Sequence, residues 1–448
     1  MTIRIEELAA VPATAQRRDP LEILDEQDAT RIPGLVPVRH ERMAATAFTF
    51  FRGAAAVMAA DLAATPSSGI DTQLCSDAHL SNFGLFRSPE RRMVFDLNDF
   101  DETHPGPFEW DVKRLAASIV IASQANGFDE REVSRCARRS VRAYRKEMLA
   151  AAGRSPLDNW YRHVDAESLA GELGDRLDTA TGDRMAKLLN KAKHRDSNQA
   201  LEKLCYFDLA GAHIRSDPPL LMRAEEIMTR MSREQLAMAF TDRIAAYARS
   251  LPEQVASVLA QYRFIEAARK VVGVGSVGTR CWIVLMGSEV GASPLFLQIK
   301  EAGPSVLSPY VTARAGDHQG RRVVAGQQLM QASSDIFLGW VTAPNFDGTP
   351  NQFYVRQLRD GKGSVVVEGL RPDGMEYYGE LCGRVLAQAH ARTAAYAPIA
   401  ALLSGFGKAF DRAVADFAVA YSQINEADHQ RLVDAIADGR MSSAPLSV

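Results

Sequence analysis

Between residues 40 and 64, Met43, Phe48, Phe51, Ala55, Met58 and Leu62 recur at intervals near three and four, the spacing of one buried helical face. That run ends at the polar turn Thr65-Pro66-Ser67-Ser68-Gly69. Two stretches follow, QLCSDAHLSNFGLF and RRMVFDLNDFDE, each with a short apolar run beside a polar cluster. They predict a strand, a loop and a hairpin, with SPER as the turn between its arms. Residues 109–260 are rich in Ala, Arg, Leu and Glu, with breaks near Gly127, residues 153–156, Gly182 and the Asp217-Pro218-Pro219 triplet, and predict an almost wholly helical block. From about residue 270 the period becomes two. VVGVGSVGTRCWIVLMG, PLFLQIKEA, FYVRQLRD and SVVVEGL predict a small antiparallel sheet, with one helix inserted at about 320–334. Helical spacing returns from Met375 to about Asp438. Residues 1–35 mix charges with Pro12, Pro20, Pro33 and Gly34 without a sustained period, and predict an N-terminal extension that carries no chemistry.

Composition narrows the function classes. The chain has 448 residues, more than one ordinary core holds, and its 52 Lys and Arg nearly balance 55 Asp and Glu, for a net charge of -3. That balance argues against a nucleic-acid coat or a polybasic membrane binder. Cys75, Cys136, Cys205, Cys281 and Cys382 are odd in number, widely spaced and without a C-x-x-C pair, so neither a disulfide framework nor a zinc knot is indicated. Glu6 and Glu7 stand where a signal peptide needs an apolar run, and no eighteen apolar residues occur together; the expectation is a cytoplasmic protein without a membrane span. No H-E-x-x-H and no G-x-S-x-G occurs, so metalloprotease and serine-hydrolase readings lack their constellations.

The densest polar cluster is residues 75–82, Cys-Ser-Asp-Ala-His-Leu-Ser-Asn, followed by Asp96, Asp99, Asp101 and Glu102. Carboxylates at this density repel, so something must compensate them. A strand ending in Asp, a tight loop and an Asn five residues later can set a carboxylate beside a substrate hydroxyl and an amide oxygen on Mg²⁺, while a second Asp holds the same metal. The D-x-H-x-x-N string of Asp77, His79 and Asn82, then Val94-Phe95-Asp96, Asp99-Phe100-Asp101 and GPFEWD ending at Asp111, resembles the catalytic and metal-binding segments of aminoglycoside phosphotransferases and choline kinases. On that resemblance Asp77 orients or deprotonates a hydroxyl, Asn82 and either Asp96 or Asp99 hold metal, and His79 and Asp111 steady the loop. The His-Gly pair that usually precedes the Asp is Cys75-Ser76 here.

A nucleotide site also needs a phosphate-covering loop and a lysine. Gly273, Gly275 and Gly278 form a G-x-G-x-x-G, with Ser276 inside it, between two strand-like runs, and Lys300 follows about twenty residues later on the next strand. No helix opens after the glycines, which argues against a dinucleotide fingerprint. The arrangement resembles the kinase glycine loop and its lysine. It stands after the catalytic loop rather than before it, an order that circular permutation permits because chain ends often lie close together. The expected fold is therefore α+β, a circularly permuted, protein-kinase-like pair of lobes. Residues 36–260 and 366–448 form the helical lobe, and residues 261–365 the small antiparallel β lobe. ATP and Mg²⁺ lie between them, and the acceptor is a hydroxyl of a small molecule or protein. A nucleotide-binding pseudokinase and a metal-dependent hydrolase using Asp77, His79, Asp96 and Asp99 are the alternatives, and nucleotidyl transfer needs the same parts.

The string RM…FFRGAA, CSDAHLSNFG, VFDLNDFDET, GPFEWDVKRLAAS, GVGSVGTR, RVVAGQQLMQ, VRQLRDGKGS and LAQAHART is also similar to a bacterial domain-of-unknown-function family, number 2252, over about residues 39–425. That family usually has Gly where Ser76 stands. Several residues stay outside the pattern. The helix after Lys300 offers Gln327, Gln328 and Asp335 but no Glu for a lysine-glutamate pair, and Glu301 should point away from Lys300. His194-Arg195-Asp196 has Leu201 where a metal-binding Asn would stand, so it is a decoy. Arg52 and Arg114 are candidate partners of phosphate or of the acidic loop. The basic run of residues 131–146 reads as a solvated face, and His390 as a hydrogen-bonded core residue.

Overall fold

In the computed structural model, residues 3–169, 197–209, 211–288, 294–313, 316–345, 348–358, 361 and 363–444 are described. The apolar spacing of residues 40–64 becomes three helices rather than one. They are α2 (Val36–Ala44), α3 (Ala47–Gly53) and α4 (Ala55–Ala63), preceded by α1 (Pro20–Asp28). Thr46 breaks the run because its hydroxyl accepts from Thr49 N, 3.0 Å, and caps α3. Residues 3–35 differ from the expected extension. Asp19 caps α1, Leu8 and Leu24 are fully buried, and Arg17 forms ion pairs with Asp61 and Asp428.

Next come β1 (Asp71–Leu74), β2 (Phe83–Arg87), β3 (Met93–Leu97) and β4 (His104–Pro107). β2 and β3 form the expected hairpin, with Phe83 opposite Leu97, and β1 pairs with β4. The two polar clusters thus leave from neighbouring strand ends. The first follows β1 and enters β2, and the second follows β3 and enters β4. Helices α5 (Phe108–Ala125), α6 (Glu130–Ala151) and α7 (Pro156–Tyr161) follow, then the short β5 (Val164–Asp165) beside β3.

The expected helical block does not continue unbroken. After α8 (Ser197–Leu204) come β6 (Cys205–Asp208), β7 (Gly211–Ile214) and β8 (Leu221–Arg223), then α9 (Ala224–Ile227), α10 (Arg233–Ala248) and α11 (Glu253–Leu259). Strands β9 (Tyr262–Lys270), β10 (Cys281–Ser288) and β11 (Leu295–Glu301), helix α12 (Gln319–Met330), and strands β12 (Gly339–Pro344), β13 (Pro350–Gln357) and β14 (Gly363–Ser364) complete this half. One six-stranded antiparallel sheet runs in the order β12-β13-β11-β10-β9-β8. Its two faces follow from the pleat. Trp282, Val284, Leu297, Ile299 and Val355 pack beneath Phe240, Ile244 and Tyr247 of α10, while Ile283, Leu285 and Phe296 on the opposite face pack with Leu204 and Ile214. Residues 197–260 therefore pack with the sheet and not with the helical half, which moves the expected boundary at 260 toward the N-terminus.

The chain returns through α13 (Pro372–Ala391), α14 (Tyr396–Phe406) and α15 (Lys408–Ala437), which share one core with α5, α6 and the β2–β3 hairpin. The basic face of α6 is partly internal: Arg135 and Arg139 pair with Glu376 of α13, and the buried Arg145 grips Asp411 of α15 at 2.7 Å. No helix among the described residues is long and apolar enough to cross a membrane.

Candidate functional site

Asp77 sits just after β1, in a loop whose backbone is held from below. Asp111, in the first turn of α5 and almost fully buried, accepts from Cys75 N and Ser76 N, both at 2.9 Å. His390 Nε2 donates to the same carboxylate at 3.3 Å, and Tyr144 OH lies 2.8 Å from His390 Nδ1. Asp111 holds the loop backbone through these bonds and does not line the cleft. Ser76, which supplies the second of these amides, adopts φ +66°, a conformation that favours glycine.

The Asp77 carboxylate is gripped by Arg114, whose Nε and Nη2 lie 3.0 and 2.8 Å from Oδ1. Arg114 also donates to Phe51 O and lies over the Phe51 ring, 3.8 Å from its centroid. Asp77 Oδ2 is 3.6 Å from His79 Nε2. His79 Nδ1 accepts from Ser81 N at 3.2 Å, so the ring proton is on Nε2 and faces Asp77. Burial pushes His79 down to about 3 from 6.5, with Arg52 and Arg114 adding to the shift against Asp77. His79 therefore steadies Asp77 as a neutral ring. Asn82 closes the loop by donating from Nδ2 to Asp77 O, 2.7 Å, which leaves its amide oxygen for another partner.

The second cluster is tied to the first by Asn98 N donating to Asn82 O, 3.0 Å. The acids divide sharply. Asp96 is not in the cleft: its oxygens accept from Leu97 N, 2.8 Å, and Ala332 N, 3.2 Å, and it is 4% exposed. Of the two alternative Asp ligands only Asp99 lines the cleft, as Asn82 does, with Asp101 and Glu102 beside it. Asp101, which the sequence reading passed over, joins the two halves of the chain. It receives Lys300 Nζ, Tyr354 OH and, at 3.3 Å, Ser276 Oγ from the glycine loop. The repeated Asp-x-Asp spacing was a signal for it, since alternate residues of an extended segment share a side.

Lys300 lies opposite Cys281 at the foot of the glycine loop, on the sheet face that carries Tyr354 and Gln298. Burial alone would lower its ammonium, but Asp101, Asp99 and Tyr354 hold it well above its usual range. Its partner is thus Asp101 and not a helix acid. Gln327 donates to Gln331, and Asp335 accepts from Phe337 N. From α12 it is Arg322 that reaches the acidic loop, donating to Thr103 O at 2.6 Å and Asp101 O at 2.8 Å. Gly326 permits this approach, because a Cβ there would stand 2.4 Å from the Thr103 side chain.

The glycine loop spans the β9–β10 connection, and Gly273, Gly275 and Ser276 line the same cleft as Asp77, His79, Asn82 and Asp99. Gly273 and Gly278 have φ of +66° and +91°. The supposed extension pins this loop: Ile32 N donates to Gly278 O at 2.8 Å, and Arg31 donates to Val277 O. The cleft measures about 1000 Å³ and is also walled by Arg18, Arg31, Arg52, Tyr310 and Asn351. Arg52 is half-buried there, and its Nε has no hydrogen-bond partner among the described residues. Burial lowers its guanidinium against Asp77, Glu368 and Asp99. No group of three or more His, Cys, Asp or Glu side chains that could hold a metal occurs among the described residues. The His194-Arg195-Asp196 decoy lies outside them.

Among known protein families, one described as an uncharacterized protein conserved in bacteria (DUF2252) matches residues 31–435. No curated protein and no solved structure matches the chain.

Proposed function

Because the chain belongs to the bacterial family DUF2252, whose match spans both walls of the cleft, we propose that those walls form one kinase-like site, permuted in sequence, that uses ATP and Mg²⁺ to phosphorylate a hydroxyl of a small molecule or protein. The observation that carries this reading is Asp101, which joins Lys300 and the glycine-loop Ser276 to the acidic loop beside Asp77, Asn82 and Asp99. The order of parts in the sheet supports it: a glycine loop between two antiparallel strands, a lysine on the third, then a helix.

The residues suit these ligands. Arg52, a cleft cation with an unsatisfied Nε, suits an anion. Asp99 and the Asn82 amide oxygen, both on the cleft wall, are the oxygen donors that would hold Mg²⁺. Bound ATP and Mg²⁺ would supply the transferable group and neutralise its charge. Asp77 has one oxygen committed to Arg114 and uses the other to accept the hydrogen bond of the acceptor hydroxyl, so it orients that oxygen more than it strips its proton. Neutral His79 keeps Asp77 turned toward the cleft. Lys300 offsets charge on nonbridging oxygens, and the loop amides of residues 273–278 cover the phosphates. Nucleotidyl transfer would use the same groups.

A module that binds nucleotide without transfer is favoured by one feature, the engagement of Lys300 by Asp101 in place of a helix Glu. The hydrolase reading loses Asp96, which is committed to backbone amides away from the cleft. Calorimetric titration of Mg²⁺-ATP distinguishes these. Wild type should bind, Asp99→Asn and Lys300→Ala should bind at least about tenfold more weakly, the loss of one charge-assisted contact, and Asp77→Asn should bind normally but lose turnover. Wild-type binding without turnover on any hydroxyl acceptor would favour the module, and no binding would refute both.

A further inference from the structure

A second cavity, of about 420 Å³, lies on the far side of the β-sheet from Lys300, between α10 and the strands. That volume falls within the range of small-molecule sites, roughly 300–1000 Å³. Its walls are apolar, from Met228, Phe240, Trp282, Leu297, Val341 and Phe353. The charges on its lining are of one sign. Arg230, Arg243, Arg269 and Arg280 contribute to it, and among the described residues no Asp or Glu does.

Two of these arginines are already committed. Arg280 pairs with Glu301 at 3.1 Å, and Arg243 donates to Ala239 O and Pro344 O. Arg269 differs. It stands opposite Trp282 in the β9–β10 register, on the pocket face of the sheet. Its Nη2 meets the Met222 sulfur at 3.3 Å, and its buried Nε has no hydrogen-bond partner among the described residues. Burial without a carboxylate pushes its guanidinium below the usual range. A half-buried guanidinium facing an apolar chamber is costly until an anion joins it.

We propose that this cavity is a binding site, separate from the nucleotide cleft, for an anionic amphiphile: a carboxylate that forks onto Arg269 and an unbranched apolar chain that lies between α10 and the sheet. The planar guanidinium matches a carboxylate with two parallel hydrogen bonds. The chain replaces contacts that the lining side chains otherwise lack across the cavity.

Calorimetric titration of the full chain with decanoate, decanol and decyltrimethylammonium, each below its micellar concentration and without nucleotide, tests this. Decanoate should bind with one-to-one stoichiometry, and decanol and the cation at least about tenfold more weakly, as expected for loss of a charge-assisted pair. Arg269→Ala should weaken decanoate about tenfold and leave decanol unchanged, and Ala343→Phe, which fills the chamber, should weaken both. Circular dichroism confirms that the variants are folded. Equal binding of all three probes, decanoate binding indifferent to both substitutions, or no decanoate binding would overturn the proposal.

Discussion

Ser76 holds a left-handed backbone immediately after two amides, that of Cys75 and its own, that donate to Asp111. A residue with a Cβ pays roughly 1–2 kcal/mol for that conformation, and the Ser76 hydroxyl is buried without a partner among the described residues. Ser76→Gly should therefore stabilise the chain by about 0.5–1 kcal/mol after the added entropy of the unfolded glycine is subtracted; urea denaturation measures it, and a destabilised variant would show that the hydroxyl has a role. Glu102 gives a second test at this scale. Burial pushes it up to about 7 from 4.5, helped by Asp101 and Asp77 and opposed by Arg322 and Val306 N. Between those values the folded chain keeps a proton that the unfolded chain has released, so stability falls as pH rises through the window, by at most roughly 3 kcal/mol. Glu102→Gln should remove that slope in denaturation curves at pH 4.5 and 7.5. The individual roles were unevenly legible. The resemblance to phosphotransferase segments singled out Asp77, Asn82 and Asp111, and the structure places the three around one loop. The choice among Asp96, Asp99 and Asp101 was not legible, because all three belong to one run of acids. Which of them faces the cleft depends on where β3 ends and on backbone amides, such as Ala332 N, that arrive from more than two hundred residues away.

The elements were read best where one period ran long. The β2–β3 hairpin, strands β10, β11 and β13 and the C-terminal helices follow the alternation or the three-to-four spacing of their own residues, whereas β9 and β12 had no expected counterpart and of the expected strand SVVVEGL only β14 forms, beside β2 and not in the six-stranded sheet. Other exceptions are short. β6, β7 and β8 are three or four residues each, too few for a period to register, and α8 and α10 owe their place against the sheet to faces that match it and not to any boundary signal. Residues 3–35 misled for a different reason: their buried apolar residues, Leu8 and Leu24 among them, are too scattered to show a period, and Arg17 anchors them electrostatically. Arg17 bonds Asp61 on α4 through Nε and Nη2, both 2.8 Å, and Asp428 on α15 through Nη1 at 3.0 Å, while all three side chains are nearly withdrawn from water. Arg17→Ala would leave two buried carboxylates facing each other. Such a loss costs about 3–5 kcal/mol, and thermal unfolding should show it, whereas the exposed Arg18–Glu26 pair should contribute at most about 1 kcal/mol.

At the scale of the whole molecule, the proposed function rests on a junction between segments about two hundred residues apart. The hairpin presents both acidic loops at its open end, the sheet presents the glycine loop and Lys300, and Asp101 is where they touch. Motif spacing alone suggested that the halves share a site; which residue joins them could only emerge from three dimensions. If the junction encloses a triphosphate, one ligand must order both walls together. Hydrogen exchange with and without Mg²⁺-ATP tests this most directly. The account predicts slower exchange at residues 77–82 and 99–102 and also at residues 273–279, with both sets reverting in Lys300→Ala. Protection of only one wall, or of neither under saturating nucleotide, would contradict it.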